Sequence, residues 1–134
     1  MKPEIGQIAT IEKTLDKKTV EAFASVSEDY NPIHLDEDFA KTTQFESPIV
    51  HGMLASSLIS GLLASKVPGA GSIYLGQSLK FVRPIFVGET VTAKVEVTSV
   101  RDDKPIAVIS TQVLNAKSEV AVDGEATVMY SVSS

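Results

Sequence analysis

The chain has 134 residues, of which 43% are hydrophobic and 22% are charged, and its formal net charge at pH 7 is -5. This length and composition predict a single domain over residues 1–134 that buries roughly 70% of the surface its unfolded chain would expose. The acidic balance, without a Lys/Arg cluster, argues against a nucleic-acid partner. Since the chain has no cysteine, disulfides, thiolate catalysis and cysteine-ligated metals are excluded.

Two segments bear on where the protein resides. Residues 1–4 lack the apolar stretch of a secretory signal peptide, so we expect a cytoplasmic protein. Residues 48–65 carry no acidic or basic side chain, and this approaches the roughly 18 to 20 residues of a membrane span. The same segment contains Pro48, two glycines and four serines. We therefore expect a buried helix here and no contact with a membrane.

The first part of the chain is predicted to form one strand and two helices. Residues 6–15 indicate the strand. Asp16 is a suitable N-cap for a helix over residues 17–28, where apolar side chains recur at helical spacing. Asp36 is a second N-cap, and the acidic residues that follow it suit the first turn of a short helix through about Thr43.

A long central helix is predicted from residue 51 to about residue 66. Its large apolar side chains are interleaved with Ala, Ser and Gly, and it has no charged face. A helix that is apolar all round is expected to be buried all round. Its small residues would let another backbone or a ligand chain come close. Residues 68–71 end the helix.

After residue 71 the hydrophobic period changes from helical to two, which indicates strands. Gly76 marks a bulge or a close approach in the first of them. Residues 83–88 are expected to form a turn, so that four strands follow one another as hairpins. The predicted strands cover residues 72–82, 89–100, 106–114 and 120–132.

These elements predict an α+β fold, in which a curled antiparallel five-stranded sheet surrounds one long central helix. A single sheet of this size covers only part of such a helix. We therefore expect two copies of the chain to pack together as a homodimer.

The segment after the first predicted helix holds an acid and an imidazole five residues apart, Asp29 and His34. Pro32 fixes its own φ and disfavours the helical region for Asn31, so the helix should end near Asp29 and a sharp bend should precede His34. Such a bend can bring both side chains to one water. A solvated helix end and a surface histidine are the simpler interpretations, but the Asn-Pro bend favours a catalytic pair.

Three motifs follow one another along the chain: Asp-Tyr-Asn-Pro-Ile-His at residues 29–34, Pro-Ile-Val-His-Gly-Met at residues 48–53, and Phe-Val-Arg-Pro at residues 81–84 with Gly88. In order and spacing they resemble the MaoC-type hotdog proteins, most closely the bacterial (R)-specific enoyl-CoA hydratases. The resemblance covers essentially the whole chain. It implies the hotdog fold and the reversible syn hydration of trans-2-enoyl-CoA to (R)-3-hydroxyacyl-CoA, a link from fatty-acid β-oxidation to polyhydroxyalkanoate synthesis.

Position by position, the resemblance implies roles for individual residues. Asp29 and His34 would be the catalytic pair, and Asn31 would shape their loop. The backbone amide of Gly52, at the start of the central helix, would donate to the thioester oxygen. Ser60 would sit beside the catalytic acid.

The acyl pocket is expected along the central helix, where the bulk of the apolar side chains suggests short to medium acyl chains. The residues expected to bound it are Met53, Ile59, Leu62 and Leu63. His51 is expected to be structural, either as a helix cap or in packing. Four scattered cations are candidates for the phosphates of coenzyme A, and none of them is assigned: Lys66, Lys80, Arg83 and Arg101.

No metal and no separate cofactor are expected, because coenzyme A is part of the substrate. Asp29, His34 and Asp36 could be interpreted as metal ligands. That interpretation is weaker, because no second histidine has ligand spacing and the proposed chemistry needs no metal.

Three other functions stay open at this point. The first is a dehydratase acting on acyl-carrier-protein thioesters or on branched or dicarboxylic acyl-CoA. The second is a thioesterase on the same fold, although the Asp-x-Asn-Pro-x-His element is typical of hydratases and dehydratases. The third is a regulator that binds acyl thioesters, which the acidic charge and the lack of a DNA-binding segment disfavour.

Overall fold

The computed structural model describes residues 2–132, so that residues 1, 133 and 134 of the predicted domain lie outside the described residues. Every predicted helix and strand is present, with ends that differ by at most three residues from the expected bounds. The sequence does not predict α2. In chain order the elements are β1 (Ile8–Thr14), α1 (Lys17–Ser27), α2 (Pro32–Leu35), α3 (Glu37–Lys41), α4 (Gly52–Ser65), β2 (Ile73–Phe81), β3 (Thr90–Val100), β4 (Ile106–Leu114) and β5 (Val120–Met129).

The five strands form one antiparallel sheet in the order β1-β3-β4-β5-β2. The predicted five-stranded sheet is thus confirmed, and so is the irregularity at Gly76, where the register of β2 shifts. The expected hairpin between β2 and β3 is wrong, because β2 pairs with β5 at the far edge. The connecting segment is instead held against the entry to α4, where Val50 donates to the Ile85 carbonyl (2.7 Å) and Ile49 bridges Phe86.

The core lies between α4 and one face of the sheet. The helix contacts all five strands. Its inward stripe includes Ala55, Ile59 and Leu62, each 0% exposed, at the spacing of one helix face. The alternation in β3 is confirmed, and its four buried side chains are Val91, Ala93, Val95 and Val97.

The expectation that α4 is buried all round is wrong for the described chain. Met53 is 58% exposed, and Ser57, Ser60 and Ala64 are also exposed. The sheet packs on one side of the helix only, so the small and polar residues lie on the uncovered side. Within residues 2–132, no helix has both the length and the apolar character that a membrane crossing requires.

The two edge strands of the sheet differ in composition. On β2 and just after it, five large apolar side chains are between 41% and 54% exposed: Ile73, Tyr74, Leu75, Phe81 and Val82. On β1, Ile8 and Ile11 are exposed but alternate with threonines and with Glu12 and Lys13. Charged edges resist pairing with another strand, whereas an apolar edge favours it.

Candidate active site

The loop after α1 sets the position of Asp29. The helix ends at Glu28, which adopts a left-handed conformation (φ 63°) and turns the chain. The Asp29 amide then donates to Ser27 Oγ (3.2 Å), and Asp29 Oδ1 accepts the amide of Asn31 (3.2 Å). The carboxylate is therefore oriented by its own loop, and its other oxygen is left for a ligand.

The helix α2 carries His34 and is only four residues long. Pro32 occupies its first turn, where the missing N–H costs nothing. The side chain of Asn31 caps the helix by accepting the amide of Ile33 (3.2 Å). The Asn-Pro pair thus builds one rigid turn, and His34 lies in its last residues instead of in an extended bend.

The imidazole of His34 is fixed by the segment that leads into α4. Its Nδ1 lies 2.7 Å from the carbonyl oxygen of Ile49. A carbonyl can only accept, so Nδ1 carries the proton and Nε2 is left as an acceptor. Burial lowers the pKa of His34 below its ordinary value of 6.5, and the hydrogen bond to Ile49 and the charge of Asp29 oppose this shift. The neutral form with an unprotonated Nε2 is therefore favoured near neutral pH.

Asp29 and His34 converge, and His51 joins them. One nitrogen or carboxylate oxygen from each of the three residues lies within 4.8 Å of the others. His51 is 22 positions from Asp29 in the chain, so the sequence spacing gives no sign of it. Asp36 takes no part, because its carboxylate caps α3 by accepting the Phe39 amide (3.0 Å).

The arrangement of the two histidines does not suit a shared metal ion. Their ring centroids are 3.9 Å apart and their planes are inclined by 31°, so the rings are stacked. A nitrogen ligates through a lone pair in its ring plane at roughly 2 Å. Two nearly parallel planes at this separation meet too far away for one ion to lie on both lone pairs.

Gly52 is the first residue of α4, and its amide belongs to the unsatisfied N-terminal turn. The ring of Phe81 lies directly against it. A Cβ at this position would come within 2.5 Å of Phe81 Cε1, closer than any ordinary carbon contact. Glycine is therefore required by the close packing of Phe81 as well as by access to the amide.

These groups open on a cleft of about 360 Å³, here called the dyad cleft. Its walls include Asp29, His34, Gly52, Phe81 and Arg83. Arg83 is one of the four candidate cations for coenzyme A. Its Nη1 donates to the Val120 carbonyl (2.6 Å), and its Nε lies 3.9 Å from a Glu119 oxygen.

Two other candidate cations are engaged away from the dyad cleft. Lys66, at the opposite end of α4 from Gly52, donates to the Thr10 carbonyl (2.9 Å). Arg101 forms a two-point ion pair with Asp103 in the β3–β4 loop. Of the four candidates, Arg83 is the one placed on the wall that holds the catalytic groups.

A second cleft of about 510 Å³, here called the α4–β2 groove, runs between the uncovered side of α4 and β2. Met53 lines both clefts, and Ser60 lines the groove. Within one chain Ser60 is remote from the catalytic acid, so its expected role beside that acid stays a prediction. It lies eight residues after Gly52, which is about 12 Å along a helix axis, whereas Asp29 lies at the start of α4.

The four residues expected to bound the acyl pocket lie on two faces of α4. Met53 lies between the clefts, and Leu63 lines a small cavity of about 70 Å³ beside Ser60. Ile59 and Leu62 are fully buried in the main core, so their expected pocket role is not supported. The sequence shows an apolar helix but not its rotation about its own axis, which decides which side chains face a ligand.

Comparisons with known proteins find relatives that match almost the whole chain. The family model described as "MaoC like domain" matches residues 2–120. The (R)-specific enoyl-CoA hydratase of Aeromonas caviae is 58% identical over 125 residues, which cover 93% of both chains. That of Rhodospirillum rubrum is 44% identical over 92% of this chain and 85% of its own. The solved (R)-hydratase of A. caviae involved in PHA biosynthesis superposes with a TM-score of 0.95 at 56% identity, over 96% of this chain and 98% of that one.

Proposed function

Because the chain belongs to the MaoC-like domain family, we propose that it is an (R)-specific enoyl-CoA hydratase, which adds water reversibly to trans-2-enoyl-CoA. The observation that carries the proposal is the convergence of Asp29 and His34 within 4.8 Å, in the cleft that also contains the start of α4. The names of relatives that cover almost the whole chain support the same activity.

Asp29 and His34 each offer a hydrogen-bond acceptor to one water. The Asp29 carboxylate is an acceptor, and so is His34 Nε2, because Nδ1 is committed to Ile49. The water therefore points both hydrogens at the pair and its oxygen lone pairs at C3 of the substrate. As the oxygen bonds to C3, the pair takes one proton, and that proton then goes to C2.

The charge that leaves the double bond is received at the thioester carbonyl. The π electrons of C2=C3 move onto this oxygen, and the proposed donor to it is the amide of Gly52. An amide at a helix N-terminus also contributes the positive end of the helix dipole. Removal of one such donor typically costs about 100- to 1,000-fold in rate.

Stereochemistry follows from the single water. If the hydroxyl and the C2 proton both come from the side on which the pair lies, addition is syn. Product from crotonyl-CoA should give no NADH with an (S)-specific 3-hydroxyacyl-CoA dehydrogenase. Full oxidation by that enzyme would leave hydration intact and contradict the (R) assignment. A racemic product would contradict the fixed orientation of the substrate.

The proposed substrate carrier is coenzyme A. The proposed product would feed polyhydroxyalkanoate synthesis, since the (R)-hydratase of A. caviae is involved in PHA biosynthesis. Arg83 on the cleft wall is the proposed contact for a phosphate of the carrier. Addition of water to a conjugated thioester transfers no electrons and leaves no group on the protein. The proposed steps are assigned to Asp29, His34 and the Gly52 amide, and none of them is assigned to a metal or a further cofactor. A cytoplasmic location stays a prediction.

A homodimer is proposed on the basis of the exposed apolar surfaces. The α4–β2 groove is lined by α4, the edge strand β2 and Phe23 of α1, and it is open to solvent. Met53, Tyr74 and Leu75 line it and are exposed. A second copy packed on this edge would bury these side chains and close the groove around an acyl chain.

One assay separates the candidate functions. Incubation with crotonyl-CoA should remove the conjugated enoyl absorbance without releasing free thiol. Thiol release would indicate a thioesterase, and binding without any turnover would indicate an acyl-thioester-binding protein. Activity on the acyl-carrier-protein thioester with none on the CoA thioester would favour the dehydratase alternative.

A further inference from the structure

His51 is the least explained group in the site. It is 2% exposed, it does not cap α4 with its side chain, and the proposed mechanism assigns it no proton. Within residues 2–132, its Nδ1 is the buried side-chain nitrogen or oxygen that has no hydrogen-bond partner. A buried polar atom left unsatisfied is costly, which points to a role for the rest of this side chain.

The other ring nitrogen of His51 forms a hydrogen bond with the backbone of Asp29. Nε2 lies 3.0 Å from the backbone carbonyl oxygen of Asp29. Because a carbonyl only accepts, Nε2 must carry the proton, and the neutral ring then has none on Nδ1. The packing therefore selects the Nε2–H tautomer of the neutral ring. His51 thereby ties the residue that bears the catalytic carboxylate to the start of α4.

The face of the same ring acts on His34. The two imidazoles are stacked at 3.9 Å, and Phe23 packs on His51 at 4.9 Å. His51 thus covers one face of the His34 ring, and both rings line the dyad cleft. A neutral ring in that position excludes water that would otherwise solvate protonated His34, which favours the neutral imidazole.

We infer that His51 is a positioning residue for the proposed hydratase, which sets the place of Asp29 through its Nε2–H and keeps His34 unprotonated through its ring. The inference rests on the proposed function for its kinetic consequences only. The contacts themselves involve one donor and one ring face, so the two effects can be separated by substitution.

Two variants of His51 separate the hydrogen bond to Asp29 from the ring contact with His34. His51→Gln keeps an N–H at a similar distance from Cα but removes the ring. His51→Phe keeps a flat ring but removes the donor. We expect His51→Phe to lower kcat by about 10- to 100-fold, since small displacements of a catalytic group have effects of this size. It should move the acid limb of the pH profile less than His51→Gln does.

For His51→Gln we expect the opposite pattern. Its kcat on the high-pH plateau should stay close to that of the wild type, and the acid limb of kcat/KM should move to higher pH because water reaches His34. Other charges that could move this limb are present in both variants. They are Asp29 and Arg83 in the dyad cleft, and Lys17 and Glu37 in the small cavity on the other side of His34.

Phe23→Leu is the matched control for the packing on His51. Because Phe23 also lines the α4–β2 groove, this control is scored by its melting temperature and by the position of its acid limb, and not by its rate. It should lower the melting temperature and leave the pH profile in place. If both folded His51 variants kept the wild-type plateau and the wild-type acid limb, the inference would be overturned. A shift of the limb in Phe23→Leu equal to that in His51→Gln would reduce the effect to general packing and also overturn it.

A measurement on the unaltered protein is independent of activity and of variant folding. The chain has two histidines, so their ring nitrogen signals can be assigned and followed by NMR between pH 5 and 8. In the neutral ring, the His51 proton should be on Nε2, because this nitrogen lies against the Asp29 carbonyl. A neutral His51 with its proton on Nδ1 would contradict the inference even if the hydratase activity is present. Absence of that activity with the expected His51 signal would instead count against the proposed function.

Discussion

Met53 lines two clefts, and the side chains that form these clefts are fixed in different ways. In the dyad cleft, each catalytic side chain is fixed within one chain, through hydrogen bonds of Asp29 to its own loop and of His34 to Ile49. The α4–β2 groove is lined by serines and by exposed apolar side chains such as Met53 and Leu75, and half of its lining residues belong to an edge strand. One chain thus positions the proposed chemistry by itself, whereas the proposed acyl groove is left open in a single copy.

The largest effect is expected from substitution of the two residues of the proposed catalytic pair in the dyad cleft. Asp29→Asn keeps the size of the side chain but removes the negative charge, and His34→Ala removes the acceptor nitrogen. Each should lower kcat with crotonyl-CoA by at least about 100-fold, with little change in melting temperature. A folded variant that retained more than about a tenth of wild-type turnover would refute the dyad assignment.

Gly52→Ala should have the next largest effect. The new Cβ would lie 2.5 Å from the present position of Phe81 Cε1, so the ring must move over the helix start. We expect a loss of about 10- to 100-fold in kcat/KM from the displaced amide and ring. The double variant Gly52→Ala/Phe81→Leu relieves the overlap and should recover part of the loss. No recovery would show that access to the amide, and not Phe81, is decisive.

The groove side is tested by placing charges on the two sheet edges. Ile73→Arg/Leu75→Arg on β2 should shift the sedimentation mass from about twice 14.3 kDa to about 14.3 kDa. The matched control is Ile8→Arg/Ile11→Arg on β1, which replaces two exposed apolar residues of the other edge. This control should remain dimeric. An active wild-type monomer at micromolar concentration would contradict the proposed dimer.

The pH dependence of kcat/KM tests the environment of His34 in the dyad cleft. Since burial lowers the pKa of His34 below 6.5, the acid limb of kcat/KM should lie below pH 6.5. The same shift means that the unfolded chain binds the proton more tightly. The contribution of His34 to stability is therefore present above pH 6.5 and is lost as the pH falls. If the acid limb of kcat/KM lay above pH 6.5 and disappeared in His34→Ala, burial would not lower the pKa of His34, and the expectation would be wrong.

The smallest expected effect concerns chain length. The wild type should prefer C4 to C6 enoyl-CoA over C12, because the Met53 side chain lines both clefts and takes up space there. Met53 is 58% exposed, so Met53→Ala should leave folding intact and raise the relative rate on C8 by a few-fold. Ser65→Ala, on the same helix and outside both clefts, is the control. A wild-type preference for C12 would contradict the expectation.

Local patterns in the sequence were sufficient for the helices, the strands and part of the site. Hydrophobic period, N-cap residues and turn residues act over a few positions, which is why α1, α4 and the four C-terminal strands were predicted within three residues. Asn31 and Pro32 build their turn from contacts two residues apart. The motif around Asp29 and His34 could therefore be interpreted without knowledge of any distant part of the chain.

Tertiary structure alone decided the contacts that depend on how these elements meet. The pairing of β2 with β5 follows from the packing of residues 82–89 beside the start of α4, which no turn signal reports. The rotation of α4 places Ile59 in the core and Ser60 in the groove. The sequence did not show this rotation, because α4 has no charged face to mark its exposed side. His51 became part of the site only because its ring reached back across 22 positions to Asp29, a contact that buries a polar side chain and that hydrophobic pattern cannot encode.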